Sequence, residues 1–163
     1  MEKRKVQFDL TVYKIEDELS PEEAELLAQA VTARKRAYAP YSDFNVGAAV
    51  LLDNGTIVLG NNQENASYPS GLCAERVAIF SAGANYPYER IKMIAVSAAS
   101  KNYKVTEPAG PCGNCRQAMA EYEQKQKKPI QILMRGESGP IYKCESINDL
   151  LPLAFNNSFL SDS

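Results

Sequence analysis

The sequence contains no histidine among its 163 residues. Histidine is the side chain whose ordinary pKa lies nearest to neutral pH. Acid–base chemistry near pH 7 therefore has to come from a carboxylate, a thiol or a water molecule. A metal site in this chain would also have to form without imidazole.

Three other features are missing, and each excludes a class of protein. No apolar run approaches the roughly 18 residues of a membrane-spanning helix. The first fourteen residues alternate polar and apolar, so they lack the continuous apolar segment of a secretory signal. Lysine and arginine number 18 against 20 acidic residues, giving a net charge of −2, which argues against an extended nucleic-acid surface. We expect a cytoplasmic protein with no membrane or nucleic-acid partner.

The four cysteines carry the most information about chemistry. Without a secretory signal they predict a reducing compartment, where thiols bind metal or react rather than pair as disulfides. The length fits a single domain, residues 1–163, with residues 1–20 as an N-terminal extension.

Local patterns outline the elements of this domain. Alternation of Val6, Phe8, Leu10 and Val12 predicts a strand within residues 4–14, with a loose arm as the alternative. Ser20-Pro21-Glu22-Glu23 is typical of a helix start, and this helix is expected to reach about Tyr38. Asp53-Asn54-Gly55 lies between two apolar runs and predicts a hairpin.

The rest of the chain alternates helices and strands. Helices are predicted from Cys73 to about Ala84, over 112–128, and as a short terminal segment in 147–155. Residues 91–99 are almost wholly apolar, which favours a central strand, and two further strands are expected over 130–135 and 139–144. The predicted fold is α/β, a three-layer α/β/α arrangement with a mixed sheet of about five strands.

Three cysteines are expected at helix starts. Cys112 and Cys115 are three residues apart, so they lie on one helical face, and Cys73 begins another helix. The positive end of a helix favours thiolate over thiol. Zinc accepts thiolates in a tetrahedral arrangement, and three protein ligands would leave one position open, as in catalytic zinc sites.

Other interpretations of these cysteines stay open. A C-x-x-C pair alone also fits a redox dithiol or a plain helix start. Cys144 is a possible fourth ligand, which would make the zinc purely structural. Glu75, two residues after Cys73, is either an ordinary acidic residue in a first helical turn or the proton carrier beside the open metal position.

The pattern Cys73-Ala74-Glu75-Arg76, followed by Pro111-Cys112-Gly113-x-Cys115-Arg116-Gln117, matches a signature established for zinc deaminases. With it, the chain resembles cytidine deaminase, in its small homotetrameric, three-cysteine form. The stretches "AYAPYSDFNVGAAV", "GNNQENASYP" and "LLPLAF" resemble this family in the same order. The resemblance covers roughly residues 25–155.

The resemblance implies a hydrolase that converts cytidine and deoxycytidine to uridine and deoxyuridine plus ammonia, for pyrimidine salvage. It implies one Zn²⁺ per subunit, held by Cys73, Cys112 and Cys115. Glu75 would be the catalytic proton carrier, and Arg76 would lie close to a ligand sulfur.

The resemblance also implies how the nucleoside is bound. Phe44 would pack on the pyrimidine ring, and Asn62 and Glu64 would hydrogen-bond the sugar hydroxyls. The backbone N–H of Ala74 would bind the base carbonyl. Phe155 would reach into a neighbouring subunit's site of the homotetramer, with Ala66 and Tyr68 near that boundary.

Two alternatives remain at this point. A nucleoside-like antibiotic of the blasticidin S type could replace cytidine, since deaminases of such compounds share "CAE" and "PCGxCR". A non-catalytic zinc or thiol protein would instead use Cys144 as a ligand and have no need of Glu75.

Overall fold

A computed structural model describes residues 1–160 of the chain. The strands are β1 Thr11–Tyr13, β2 Phe44–Leu52, β3 Ile57–Asn61, β4 Ile91–Ser100, β5 Gln131–Arg135 and β6 Ile141–Cys144. The helices are α1 Pro21–Arg34, α2 Ala74–Asn85, α3 Gly113–Gln126 and the short α4 Ile147–Leu150. None of the helices within residues 1–160 has the length and apolarity needed to cross a membrane.

The strands form one mixed sheet in the order β1-β6-β5-β4-β2-β3. β4 and β5 are parallel, and all other neighbours are antiparallel. β4, expected as the central strand, lies between β2 and β5, and its interior residues are buried. The sheet has six strands rather than about five because residues 11–13 pair with β6 at its edge.

Helices cover both faces of the sheet, which confirms the expected three layers. On one face, α1 packs its apolar residues on β2, β4, β5 and β6. On the other face, α2, α3 and α4 pack on the same four strands. The two faces alternate along each strand, as in Val50 against Leu51, because successive side chains point to opposite sides.

The sequence pattern predicted the start of α1 correctly but placed its end too late. The Ser20 side chain accepts from the Glu23 N–H, and the Glu23 carboxylate accepts from the Ser20 backbone N–H, completing the predicted capping box. The helix ends at Arg34, earlier than the expected Tyr38, because the Tyr38 N–H donates to the carbonyl of Asn62 beyond β3. This turns residues 35–43 toward the end of β3.

The terminal segments are less regular than expected. Of the strand predicted within residues 4–14, only Thr11–Tyr13 is strand. The terminal helix is limited to Ile147–Leu150, because Pro152 follows and Leu153 has a φ of 60°.

Gly60 sets the distance between β3 and α2. A side chain at this position would place its Cβ 2.5 Å from the carbonyl oxygen of Ala74 and 2.5 Å from the amide nitrogen of Ala78. The helix backbone therefore rests directly on the strand. Ala74 is the first residue of α2, so this contact also determines where the start of α2 lies.

Candidate metal and active site

Two helix starts carry the three cysteines of the predicted signature. Cys73 is the N-cap of α2 and Cys112 is the N-cap of α3, and neither side chain makes a capping hydrogen bond. Cys115 follows in the first turn of α3. All three thiols therefore lie at the positive ends of two helices, where negative charge is stabilised.

The three sulfurs converge. Cys112 Sγ lies 3.7 Å from Cys73 Sγ and 3.5 Å from Cys115 Sγ, and all three sulfurs lie within 4.8 Å of one another. All are free thiols rather than disulfides. Two sulfurs on a tetrahedral zinc with Zn–S bonds of about 2.3 Å would be about 3.8 Å apart. The donor set and its spacing fit a zinc ion.

The charge balance of the thiols also favours a cation. Hydrogen bonding with Cys115 and the nearby Arg76 guanidinium lower the pKa of the Cys73 thiol to about 5, although burial acts against this. Hydrogen bonding with Cys73 and burial raise the pKa of Cys115 well above its ordinary value. Between these two thiols the negative charge is favoured on Cys73, and a divalent cation would stabilise thiolates at this site.

Glu75 lies in the first turn of α2 and is only 4% exposed. Burial raises the pKa of its carboxyl, and the negative charge on Cys73 adds to this, while its own backbone N–H and Cys115 act in the opposite direction. A buried carboxyl with a raised pKa beside a metal site is suited to act as a general acid and base.

The two arginines of the signature have different partners. Arg76 Nη2 lies 4.0 Å from Cys73 Sγ, where its charge offsets that of a thiolate. Arg116 instead donates from Nε to the Pro111 carbonyl and from Nη1 to the Leu150 carbonyl, both at 2.7 Å. Arg116 thus holds the turn before Cys112 against the end of α4.

A cavity of about 490 Å³ opens beside Cys73 and Arg76. Its wall is also formed by Tyr41, Ser42, the segment 62–65, Tyr68, Gly71 and Leu72. It has both polar groups and aromatic rings in its wall, and its volume suits a ligand of nucleoside size.

Asn62 and Glu64, predicted to bind a sugar, both line this cavity, and hydrogen bonds to neighbouring residues hold their side chains in place. The Asn62 amide accepts from the Val46 N–H at 2.8 Å and donates to the Phe44 carbonyl at 2.9 Å. Glu64 accepts hydrogen bonds from Tyr41 and Ser42. Burial acts to raise the pKa of Glu64, but these hydrogen bonds outweigh it and hold the pKa below its ordinary value.

Of the other predicted binding residues, only Tyr68 lines this cavity, and Phe44, Ala66 and Ala74 are not among the residues of its wall. The α2 start carries Ala74, fully buried, directly after Cys73. Phe44 is half-buried at the first residue of β2. Tyr68 is part of the cavity wall, and its ring lies 6.1 Å from that of Tyr41. Ala66 is exposed between the wall residues.

Phe155 does not enter this cavity within one chain. It lies on the segment after α4, stacks on Phe159 with 5.6 Å between ring centroids, and is 57% exposed. Gln117 of α3 donates to its carbonyl oxygen at 3.0 Å. Cys144 is buried on β6 among apolar residues, and the described residues place it outside the group of three thiols.

Sequence reasoning missed the part played by Ser42. Its hydroxyl bonds the Glu64 carboxylate and also accepts from the Phe44 N–H at 3.1 Å. The only signal in the sequence is a serine two residues before Phe44, which is a common local turn pattern. The contact with Glu64, 22 residues away, leaves no mark in the sequence.

The fold and the site define a class: an α/β/α protein with a three-thiolate metal centre and a buried carboxyl beside it. The protein-family model named cytidine and deoxycytidylate deaminase zinc-binding region matches residues 20–128 of the chain. A cytidine deaminase from Halalkalibacterium halodurans is 38% identical over 137 residues, covering 84% of this chain and 96% of that protein. The chain belongs to the cytidine deaminase family.

Solved structures agree with this assignment. The crystal structure of cytidine deaminase from Burkholderia pseudomallei superposes with a TM-score of 0.70 at 41% identity, covering 80% of this chain and 97% of that one. The structure of cytidine deaminase from Mycobacterium tuberculosis gives a TM-score of 0.62 at 32% identity, covering 81% and 95%. Both relatives support the α/β fold with helices on a mixed sheet.

Proposed function

We propose that the protein hydrolyses cytidine and deoxycytidine to uridine and deoxyuridine with release of ammonia. The observation that carries this proposal is the convergence of three thiols beside buried Glu75, next to a cavity that Cys73 lines and that has polar groups for a sugar. In the reaction a water oxygen becomes bonded to C4 of the base, and the bond from C4 to the amino nitrogen breaks.

Cys73, Cys112 and Cys115 would hold the zinc. When bound, zinc supplies a Lewis acid that lowers the pKa of water and so provides a nucleophile at neutral pH. Glu75 takes a proton from the attacking water and places it on N3 of the base, and then carries the remaining proton of the new C4 hydroxyl to the departing amino group, so that C4 becomes a carbonyl and ammonia leaves. Its burial excludes bulk water from these transfers, and Arg76 offsets part of the negative charge of the thiolates.

The remaining residues orient the nucleoside. The Ala74 N–H, free at the first turn of α2, binds the base carbonyl, and Phe44 packs against the ring. Asn62 has one N–H and one lone pair left after its backbone contacts. Glu64 has one lone-pair direction left after accepting three donors. Each can therefore bond one sugar hydroxyl.

Two observations argue against the alternative functions. The Asn62 and Glu64 pair in the cavity wall favours a ribose or deoxyribose over the modified sugar of an antibiotic. Cys144 lies on β6, outside the three-thiol group, so it does not supply the fourth ligand that a structural zinc would need.

Metal removal tests the proposal. Purified protein should lower the absorbance of the cytosine band when mixed with cytidine or deoxycytidine. Zinc-free protein prepared with a chelator should lose at least about a hundredfold in rate and recover on adding Zn²⁺. Thiol titration should find three more reactive cysteines in the zinc-free form. Full turnover by zinc-free protein, or turnover of blasticidin S but not of cytidine, would contradict the proposal.

We also propose a homotetramer in which Phe155 completes a neighbour's site. Its exposed ring supports this, since it is free to meet a second copy. Phe155→Ala should lower kcat/KM at least about tenfold. Mixing Phe155→Ala with inactive Glu75→Gln after subunit exchange should restore activity, because the second variant lends its phenylalanine to the first.

The control for this mixing experiment is the double variant Glu75→Gln/Phe155→Ala, which has no phenylalanine to lend and should restore nothing. Equal recovery with both partners, or a fully active monomer, would rule out the shared site.

Its cellular setting is proposed on the same basis. A cytoplasmic enzyme of pyrimidine salvage agrees with four free thiols and a nucleoside substrate.

We further propose that residues 1–163 form a single domain with 1–20 as an extension, supported by the pairing of β1 with β6. Residues 161–163 of that range lie outside the described part.

A further inference from the structure

Glu64 is fixed from one side by two consecutive residues. The Tyr41 N–H donates to Oε2 at 2.9 Å and the Ser42 N–H to the same oxygen at 3.3 Å. The Ser42 hydroxyl donates to Oε1. Of these three donors, only the hydroxyl belongs to a side chain, so it is the one that a substitution can remove without changing the backbone.

The same hydroxyl also fixes Phe44. The Phe44 N–H donates to Ser42 Oγ at 3.1 Å. The Phe44 carbonyl accepts from Asn62 Nδ2 at 2.9 Å. Both backbone polar groups of the residue proposed to contact the base are thus held by side chains at the sugar-binding end of the cavity.

The turn between these residues is anchored elsewhere, at Asp43. Asp43 has a φ of 52°, in the left-handed region that non-glycine residues seldom adopt. Its carbonyl accepts from the Lys101 N–H at 3.0 Å, and its carboxylate pairs with Lys101 Nζ at 3.0 Å. Since Lys101 supports the turn, the loss of the Ser42 hydroxyl should leave the backbone path intact and release only Glu64 and the Phe44 N–H.

We propose that Ser42 is a positioning residue that couples the sugar-binding carboxylate of Glu64 to the base-contacting Phe44. It touches neither the reacting atoms nor the metal ligands. Its hydroxyl uses its single proton on Glu64 and a lone pair on the Phe44 N–H, which sets the distance between the two contacts along the nucleoside. This inference rests on the proposed function of the site.

The test is a double-mutant cycle with cytidine as substrate. Ser42→Ala should lower kcat/KM about tenfold, mostly through a higher KM, because the lost hydrogen bond to a charged group serves binding rather than the chemical step. Ser42→Thr keeps the hydroxyl and should retain most of the activity. Combining Ser42→Ala with Glu64→Gln should cost less than the sum of the two single losses, because Ser42 acts partly through Glu64.

Ser100→Ala is the matched control. Ser100 Oγ accepts from the Asn102 N–H at 3.1 Å, the same local turn bond as that of Ser42, but no carboxylate contact of its hydroxyl is found in the described residues. Its kcat/KM should stay within about twofold of wild type. Thermal unfolding of every variant separates a loss of folding from a loss of positioning.

The outcomes distinguish this inference from the function on which it rests. A wild-type protein that fails to deaminate cytidine overturns the proposed function. A wild type that turns over cytidine, with Ser42→Ala equal to the Ser100→Ala control, overturns the role of Ser42 alone. Fully additive losses for Ser42→Ala and Glu64→Gln, or a threonine variant as impaired as the alanine variant, also overturn it.

Discussion

Replacing Glu75 with glutamine should reduce cytidine turnover by about 10²–10⁴-fold, the usual contribution of a positioned general acid–base group. Glutamine has the same size and keeps the contact with the backbone N–H of α2, but it cannot take up a proton. Because the metal would be held by thiols, zinc content should remain at the wild-type level. The measurements are the absorbance change of the cytosine band and the zinc content of the same sample.

Glu121→Gln is the control for this experiment, since Glu121 is exposed on α3 and its charge change is identical. It should keep wild-type activity. A Glu75→Gln protein with full activity would show that another group moves the protons. If the variant lost its zinc, Glu75 would be needed to hold the metal, which the three-thiol geometry does not require.

The largest effect on stability is expected at Glu123, on the last turns of α3. The residue is only 7% exposed, and its carboxylate accepts four hydrogen bonds. Oε2 accepts from the Ile130 N–H at 2.6 Å and the Ile147 N–H at 3.1 Å. Oε1 accepts from Ser146 Oγ at 2.7 Å and Asn148 Nδ2 at 2.9 Å. This one side chain therefore joins α3 to the segment before β5 and to the start of α4.

Glu123→Ala should lower the free energy of unfolding by about 2–6 kcal/mol, since two buried backbone N–H groups lose their acceptor at about 1–3 kcal/mol each. Urea unfolding followed by circular dichroism measures the change. Glu123→Gln keeps one acceptor oxygen and should fall between alanine and wild type.

Glu121→Ala, two residues away on the exposed side of α3, should change stability by less than about 0.5 kcal/mol. Equal stability of the two alanine variants would mean that water replaces the carboxylate without cost. In that case the Glu123 carboxylate would not be what holds the segments after α3 in place.

The metal cluster was predictable because its signal is carried by residue type and spacing. Cys112 and Cys115 are three residues apart in one helix, and Cys73 begins another, so sequence alone placed three thiols at helix starts. The spacing of the cysteines did not decide whether the fourth metal position is open, because Cys144 was a possible fourth ligand. The structure places Cys144 on β6, outside the group of three thiols.

The supporting contacts were not predictable, because they join residues that are distant in sequence. Ser42 and Glu64 are 22 residues apart, and Glu123 bonds residues up to 25 positions away. Arg116 binds the carbonyl groups of Pro111 and Leu150, and Leu150 is 34 residues away in the sequence. Such contacts depend on how the layers pack, which no local pattern records.

At Gly60 the distance between α2 and the sheet is set by main-chain atoms rather than by side chains. Because main-chain atoms of β3 and α2 meet directly, no side chain acts as a spacer there. The depth at which Cys73 and Glu75 lie is therefore set in part by a main-chain contact, and any side chain larger than hydrogen at position 60 would push the start of α2 away from β3.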